Sequence, residues 1–183
     1  MSDSSMTDVD ELVERIHAAP PLAVVAATGA GSQALAWLLA VPGASRTLLE
    51  ALVPYAATSM VDLVGEEPAE FVSAETALAM ARASHRRALE LRDGDAPVIG
   101  VACTATIATD RAKRGEHNCA VAVSSKDGES VYSLTLSKGS RDRAGEEEVV
   151  SRLLLHALAL ASGVESTLSL GLLADERLEI RSP

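Results

Sequence analysis

The chain has 183 residues, 48% of them hydrophobic and only 2% aromatic, and its formal net charge is -10 at pH 7. A chain of this length folds around an aliphatic core without needing a disulfide framework or a structural metal. The composition excludes the disordered, collagen-like and coiled-coil classes. The acidic balance and the scarcity of aromatic rings also argue against a nucleic-acid partner, because phosphate backbones bind basic surfaces and single strands stack on aromatic side chains.

No segment of the sequence is typical of export or of a membrane anchor. Residues 1–10 are polar and acidic, unlike a signal peptide. The longest apolar stretches, residues 20–27 and 153–161, are shorter than the ~20 residues that a membrane span needs. We therefore expect a cytoplasmic protein with no membrane partner, in which Cys103 and Cys119 are reduced thiols of the core. The four histidines lack metal-ligand spacing, so neither a metal nor a cofactor is expected.

Aliphatic runs, helical stripes and glycine or proline turns divide the chain into alternating helices and strands. The predicted helices cover residues 9–18, 33–41, 56–64, 74–92 and 145–161. The predicted strands cover residues 22–27, 48–53, 98–103, 117–124 and 131–136, with a candidate edge strand at 178–180. This order predicts an α/β protein with three α/β/α layers around a largely parallel sheet, formed by residues 1–162 and followed by a tail, residues 163–183. Ligands of such sheets bind beyond the carboxyl ends of the strands.

A glycine-containing turn, Thr28-Gly29-Ala30-Gly31-Ser32, follows the first predicted strand and precedes a helix. Glycines in this place allow a tight turn and close backbone approach, and the unpaired N–H groups of the following helix can hold a phosphate or an oxyanion. The turn lacks a full dinucleotide or Walker pattern, so an ordinary strand-to-helix turn explains it equally well. Thr28 and Ser32 are each a candidate nucleophile or a local hydrogen-bonding residue.

Two basic loops stand out in this acidic chain. The loops hold Arg111, Lys113, Arg114 and the neighbouring His117, and then Lys138, Arg141 and Arg143. Both loops adjoin strands, so they could converge on one end of the sheet and form an anion site, because arginine forks suit phosphate and carboxylate. The alternative is a solvated surface in which these cations pair with Asp110, Glu116 and Asp142.

Several stretches, in this order and spacing, resemble the C-terminal domain of the CinA (competence-damage-inducible) proteins, whose active members are nicotinamide mononucleotide deamidases. The likeness covers about residues 22–161 and rests on Val-Pro-Gly-Ala-Ser-Arg at 41–46, Leu-Val-Pro-Tyr at 52–55 and Val-Ser-Ala-Glu at 72–75. It also includes the order of strand, polar loop and strand at 98–124. The resemblance implies a five-stranded mixed sheet, a homo-oligomer, and binding of a pyridine mononucleotide.

The resemblance also assigns site residues. The nucleophilic serine of the family falls on Thr28, and a family tyrosine matches Tyr55. The family lysine that is the expected base falls on Met60, and methionine cannot accept a proton. The Gly-Ile-Ala-Gly-Pro loop of the deamidases is replaced by Thr-Ala-Thr-Ile-Ala-Thr at 104–109, and a basic residue before the fourth strand is retained near Arg114.

Three functions follow from this combination. The first is a module of pyridine-nucleotide metabolism that binds a mononucleotide or related small phosphorylated ligand, with weak or no deamidase activity. The second is an active amidohydrolase in which Thr28 attacks the carboxamide, the N–H groups near 29–31 stabilise the oxyanion, and His117 or another base replaces the lysine. The third is an oligomerisation scaffold without a ligand. The substitution at Met60 together with the basic loops favours the first.

Overall fold

The structure is a computed structural model that describes residues 3–110 and 114–182, with side chains described from residue 8 onward. The helices are α1 (Asp3–His17), α2 (Ser32–Ala40), α3 (Ala57–Val64), α4 (Ala74–Leu91) and α5 (Arg143–Ala161), with a 3-10 turn at Ala44–Arg46. The strands are β1 (Leu22–Thr28), β2 (Leu48–Leu52), β3 (Val98–Thr106), β4 (His117–Ser125), β5 (Gly128–Leu136) and β6 (Arg177–Arg181). The main difference from the predicted helices is α1, which begins six residues earlier than expected.

A single open sheet with the strand order β2-β1-β3-β4-β5-β6 forms the middle of the molecule. β1 pairs in parallel with both β2 and β3, whereas the β3–β4, β4–β5 and β5–β6 pairs are antiparallel. The predicted α/β class and the mixed sheet are confirmed. The sheet has six strands rather than five, because the tail adds β6, and its parallel part is smaller than predicted.

Helices cover both faces of the sheet, which gives the three layers. Alternate residues of β1, β3 and β4 point to opposite faces. Side chains at odd positions, such as Val25, Val101 and Val121, pack with α1, α2 and α5 in the larger core. Alanines at even positions, such as Ala26 and Ala102, pack with α3 and α4 in the smaller core. Because both faces are buried, the central strands are apolar over most of their length.

Local sequence accounts for the ends of α3 and α4. The Ser73 hydroxyl accepts a hydrogen bond from the Thr76 N–H and caps α4. Gly65 ends α3 with a φ of 92°, in the left-handed region that glycine favours. Gly100 lets α4 lie directly on β3, because a Cβ at that position would overlap the backbone of α4 at Ala81.

The tail packs on the domain rather than away from it. β6 pairs with β5 from Val131 to Thr135, so the candidate edge strand is confirmed. Leu168 is buried against the larger core, and Arg152 of α5 donates a hydrogen bond to the Ser169 carbonyl. In the described part of the chain, no helix is long and apolar enough to cross a membrane.

Candidate functional site

A pocket of about 220 Å³ lies at the carboxyl ends of β1 and β3. Thr28, the last residue of β1, is in register with Thr104 of β3, and both belong to the even positions that face α3 and α4. The pocket is lined by Thr28, Gly29, Pro54, Tyr55, Ala56, Ala57, Met60, Phe71, Val72, Thr104 and Ala105. The two residues that the resemblance assigns to catalysis, Thr28 and Tyr55, are therefore brought together in one pocket.

Two of the four aromatic residues of the chain border this pocket. Tyr55 follows β2 and is 70% exposed, and Phe71 precedes α4 and is 38% exposed. Phe71 is fixed by its backbone, since its carbonyl accepts a hydrogen bond of 2.7 Å from the buried Thr104 hydroxyl. Exposed aromatic rings beside a concave surface are suited to contact a planar ligand. Phe71 was not singled out from the sequence, although the scarcity of aromatics is a signal that could have identified it.

The lining residues include no lysine, histidine or carboxylate. Met60 is buried and forms part of the pocket wall and of the smaller core. Its thioether thus lies in the wall where the resemblance places a lysine base. Among the described residues, no hydrogen bond is found for the Thr28 hydroxyl, so none of these residues is in position to accept its proton. The phenol of Tyr55 is the one titratable group of the lining.

An internal carboxylate fills the glycine turn. Gly29 and Gly31 have φ values of 81° and 98°, so the turn needs glycine at both places. The Gly31 N–H lies 3.0 and 3.1 Å from the two oxygens of Glu147, and the Gln33 N–H donates to the same carboxylate at 3.1 Å. The Ser32 hydroxyl donates to it at 2.9 Å. Of the residues predicted to hold a ligand anion, Gly29, Ala30, Gly31 and Ser32, two therefore donate to an acceptor inside the chain, Gly31 through its N–H and Ser32 through its hydroxyl.

His117 does not lie where a replacement base for Thr28 would have to be. It is the first residue of β4 and lies on the odd-numbered face, with Cys119 and Val121, whereas Thr28 lies on the opposite face. The ring Nδ1 of His117 is 2.8 Å from the fully buried carboxylate of Glu146, which also accepts the Ala108 N–H at 2.7 Å. The structure does not bring His117 to Thr28.

The basic residues of the two loops differ in their surroundings. Arg111 and Lys113 lie outside the described residues, and Arg114 is exposed. Arg141 forms an ion pair with Glu176, which anchors the tail, and also donates to the Gly171 carbonyl. Arg143 donates to two backbone carbonyls, that of Ala108 at 2.9 Å and that of Gly29, which lines the pocket, at 3.4 Å.

The Arg141–Glu176 pair is part of the fold. The Glu176 side chain is fully buried and accepts N–H groups of Ser137 and Leu173 as well as the guanidinium. Burial acts to raise the pKa of Glu176, but the hydrogen bonds from Arg141 and the two backbone groups outweigh it, so the pKa is lowered. Arg141 is thus engaged inside the chain, as the surface interpretation of this loop expects, although its partner is the tail rather than Asp142.

Both cysteines are free and buried, as predicted. Burial raises the pKa of Cys119 to about 12 and raises that of Cys103 further above its ordinary range, so neither is a reactive thiolate. In residues 3–110 and 114–182, no cluster of three or more histidine, cysteine or acidic side chains is placed to hold a metal ion.

Comparison with solved structures identifies the fold. The chain superposes on the competence/damage-inducible protein CihA of Agrobacterium tumefaciens with a TM-score of 0.63 and 24% identity, over 85% of this chain and 94% of that one. For a CinA superfamily protein of Escherichia coli the TM-score is 0.62 and the identity 16%, over 90% of this chain and 94% of that one. For a competence or damage-inducible protein of Enterobacter asburiae the TM-score is 0.62 and the identity 16%, over 88% of this chain and 98% of that one. No protein-family model and no curated protein matches the chain. The predicted CinA fold is therefore confirmed.

Proposed function

We propose that this protein binds a pyridine mononucleotide, with the pyridine ring in the pocket beside Thr28, and does not hydrolyse the carboxamide. The observation that carries the proposal is a pocket with aromatic borders and hydroxyl groups but without a base. The CinA fold and the resemblance of the site residues supply the ligand class. The pocket volume of about 220 Å³ is below the roughly 300–1,000 Å³ of pockets that enclose drug-sized ligands, so the pocket suits a ring rather than a whole nucleotide.

The absence of hydrolysis follows from the activation that a hydroxyl nucleophile needs. A threonine hydroxyl is a weak nucleophile at neutral pH unless an adjacent base removes its proton. Met60 occupies the lysine position in the wall, and His117 lies on the other face of the sheet. The backbone N–H of Gly31, a candidate oxyanion donor, is bonded to Glu147. The described residues therefore supply neither a base for the Thr28 hydroxyl nor a free Gly31 N–H for an oxyanion.

The first experiment measures binding and turnover on the purified protein. We expect nicotinamide mononucleotide to bind saturably in calorimetry and to raise the melting temperature, since a ligand selective for the native state stabilises it. We expect no ammonia release above the rate of a protein-free blank. Ammonia release that disappears in Thr28→Ala would favour the amidohydrolase instead. The absence of binding and thermal shift with any pyridine nucleotide would favour the scaffold.

The second experiment tests the location of the ring. Tyr55 is largely exposed, so Tyr55→Ala should change the free energy of unfolding little while it weakens mononucleotide affinity about fivefold, the magnitude of one aromatic contact. Tyr55→Phe should bind as the wild type does. Leu39→Ala is the matched control, because Leu39 is a similarly exposed apolar residue on α2 outside the pocket lining. Equal affinity in the alanine variant and the control would place the ring elsewhere.

A further inference from the structure

Among the described basic residues of the two loops, Arg143 donates to a residue of the pocket lining, Gly29, and has no carboxylate within ion-pair distance. We infer that its guanidinium binds the phosphate of the ligand outside the pocket, an inference that rests on the proposed function. The pocket at about 220 Å³ has room for the ring alone, so the phosphate must lie beyond the mouth. Outside the pocket, the phosphate needs a cation or an N–H group as its partner.

Two of the other anion sites suggested by the sequence, the start of α2 and Arg141, are engaged inside the chain. At the N-terminus of α2, Glu147 accepts the N–H groups of Gly31 and Gln33, and it brings a negative charge that repels a phosphate. Arg141 is paired with the buried Glu176. A phosphate could bind Arg141 only if the guanidinium moved away from Glu176. The Glu176 carboxylate would then be buried without its cation, which is strongly unfavourable.

Arg143 is placed differently. Its two hydrogen bonds go to neutral carbonyls, those of Ala108 and Gly29, and Gly29 itself lines the pocket. Within residues 3–110 and 114–182, no carboxylate oxygen lies within ion-pair distance of its guanidinium. The side chain is exposed, and a guanidinium carries more N–H donors than these two bonds use. The carbonyls thus hold the group beside Gly29, a residue of the pocket lining, with donors still available.

The position of Arg143 in α5 is unfavourable for a cation. It is the first residue of the helix, where the macrodipole favours negative charge. The neighbouring Asp142 directs a carboxylate oxygen to the Gly145 N–H at 2.8 Å. An arginine at this place therefore gains little from the helix, and a phosphate bound to it would interact favourably with both the guanidinium and the helix end.

The test compares ligands with and without the phosphate. In calorimetry, the wild type should bind nicotinamide mononucleotide more tightly than nicotinamide riboside. Arg143→Gln should reduce mononucleotide affinity about tenfold, as expected for the loss of one charge-assisted contact, and leave riboside affinity unchanged. Arg143→Lys should retain part of the phosphate preference. Arg86→Gln, which removes an exposed arginine of α4, is the control and should change neither affinity.

The possible results separate this inference from the proposed function. If Arg143→Gln binds both ligands as the wild type does, the phosphate contact is overturned while ring binding stands. If it weakens both ligands equally, Arg143 only supports the shape of the pocket, and the inference is again overturned. If the wild type binds neither ligand, the proposed function itself fails. Loss of the phosphate preference in Arg143→Gln alone supports the inference.

Discussion

Glu147 is the side chain whose replacement tests the description of the glycine turn most directly. Its carboxylate accepts three hydrogen bonds from the start of α2 and one, at 3.2 Å, from the Ser151 hydroxyl. The residue that precedes α2, Gly31, has no side chain to cap the helix. Glu147, which lies 116 residues away in the sequence, therefore acts as the N-cap of α2 from the neighbouring helix.

Glu147→Ala removes this cap and the negative charge together. Loss of a helix cap costs about 1 kcal/mol, and partly buried N–H groups left without an acceptor add a similar or larger amount. We expect the free energy of unfolding to fall by about 2–3 kcal/mol, which for a chain of this size lowers the melting temperature by about 4–12 °C. Urea denaturation at neutral pH, followed by circular dichroism, measures the change.

Glu14→Ala is the matched control, because it makes the same replacement at an exposed position of α1 and should change the stability by less than about 0.5 kcal/mol. A second measurement adds inorganic phosphate. Without the carboxylate, the N–H groups of α2 are open to an anion, so phosphate should raise the melting temperature of Glu147→Ala more than that of the wild type. Equal stability of the two variants, with equal responses to phosphate, would refute Glu147 as the cap.

The remaining predictions concern the core and the tail. Gly100→Ala should lower the free energy of unfolding by about 3 kcal/mol, because the new Cβ overlaps the backbone of α4, whereas Gly115→Ala meets no neighbour and should have little effect. Arg141→Gln should cost about 3 kcal/mol and speed hydrogen exchange in β6, since it leaves the Glu176 carboxylate buried without its cation; unchanged exchange would contradict the anchoring role. Burial lowers the pKa of His17 below 6.5, so the unfolded chain takes up its proton first and the stability should fall as the pH decreases below about 6.5; urea titrations at pH 7.5 and 5.5 should differ in that direction.

The positions of the helices and strands could be predicted because each has a local signal. Ser73 caps α4 as its sequence position indicates, and a two-residue turn, Lys126-Asp127, joins β4 to β5 at Gly128. The sixth strand was predicted only as a candidate, because it is short, its five residues are mostly exposed, and only two of them, Leu178 and Ile180, are apolar. Its pairing depends on the packing of the tail rather than on its own composition.

The contents of the site could be predicted only in part. Thr28 and Tyr55 do share a pocket, since the ends of neighbouring parallel strands meet at one edge. The face on which His117 lies could not be determined, because the central strands are buried on both sides and have no polar alternation from which to read the direction of a side chain. The acidic run at 146–148 lies near the start of a helix, where the helix dipole favours it, and nothing in that local pattern reveals that Glu146 and Glu147 accept hydrogen bonds from residues far away in the sequence.

The charge of the site follows from these long-range contacts. Six basic residues in two loops suggested a strongly cationic edge, yet Glu176 neutralises Arg141, and Glu147 places a negative charge at the start of α2. A ligand that relies on attraction to a broad positive surface would bind weakly here. A ligand with one small planar ring and one phosphate suits the arrangement better, because the pocket selects the ring by shape and Arg143 needs to meet only one anionic group. Such binding should weaken with added salt for nicotinamide mononucleotide but not for nicotinamide riboside, since only the contact with the exposed guanidinium is screened.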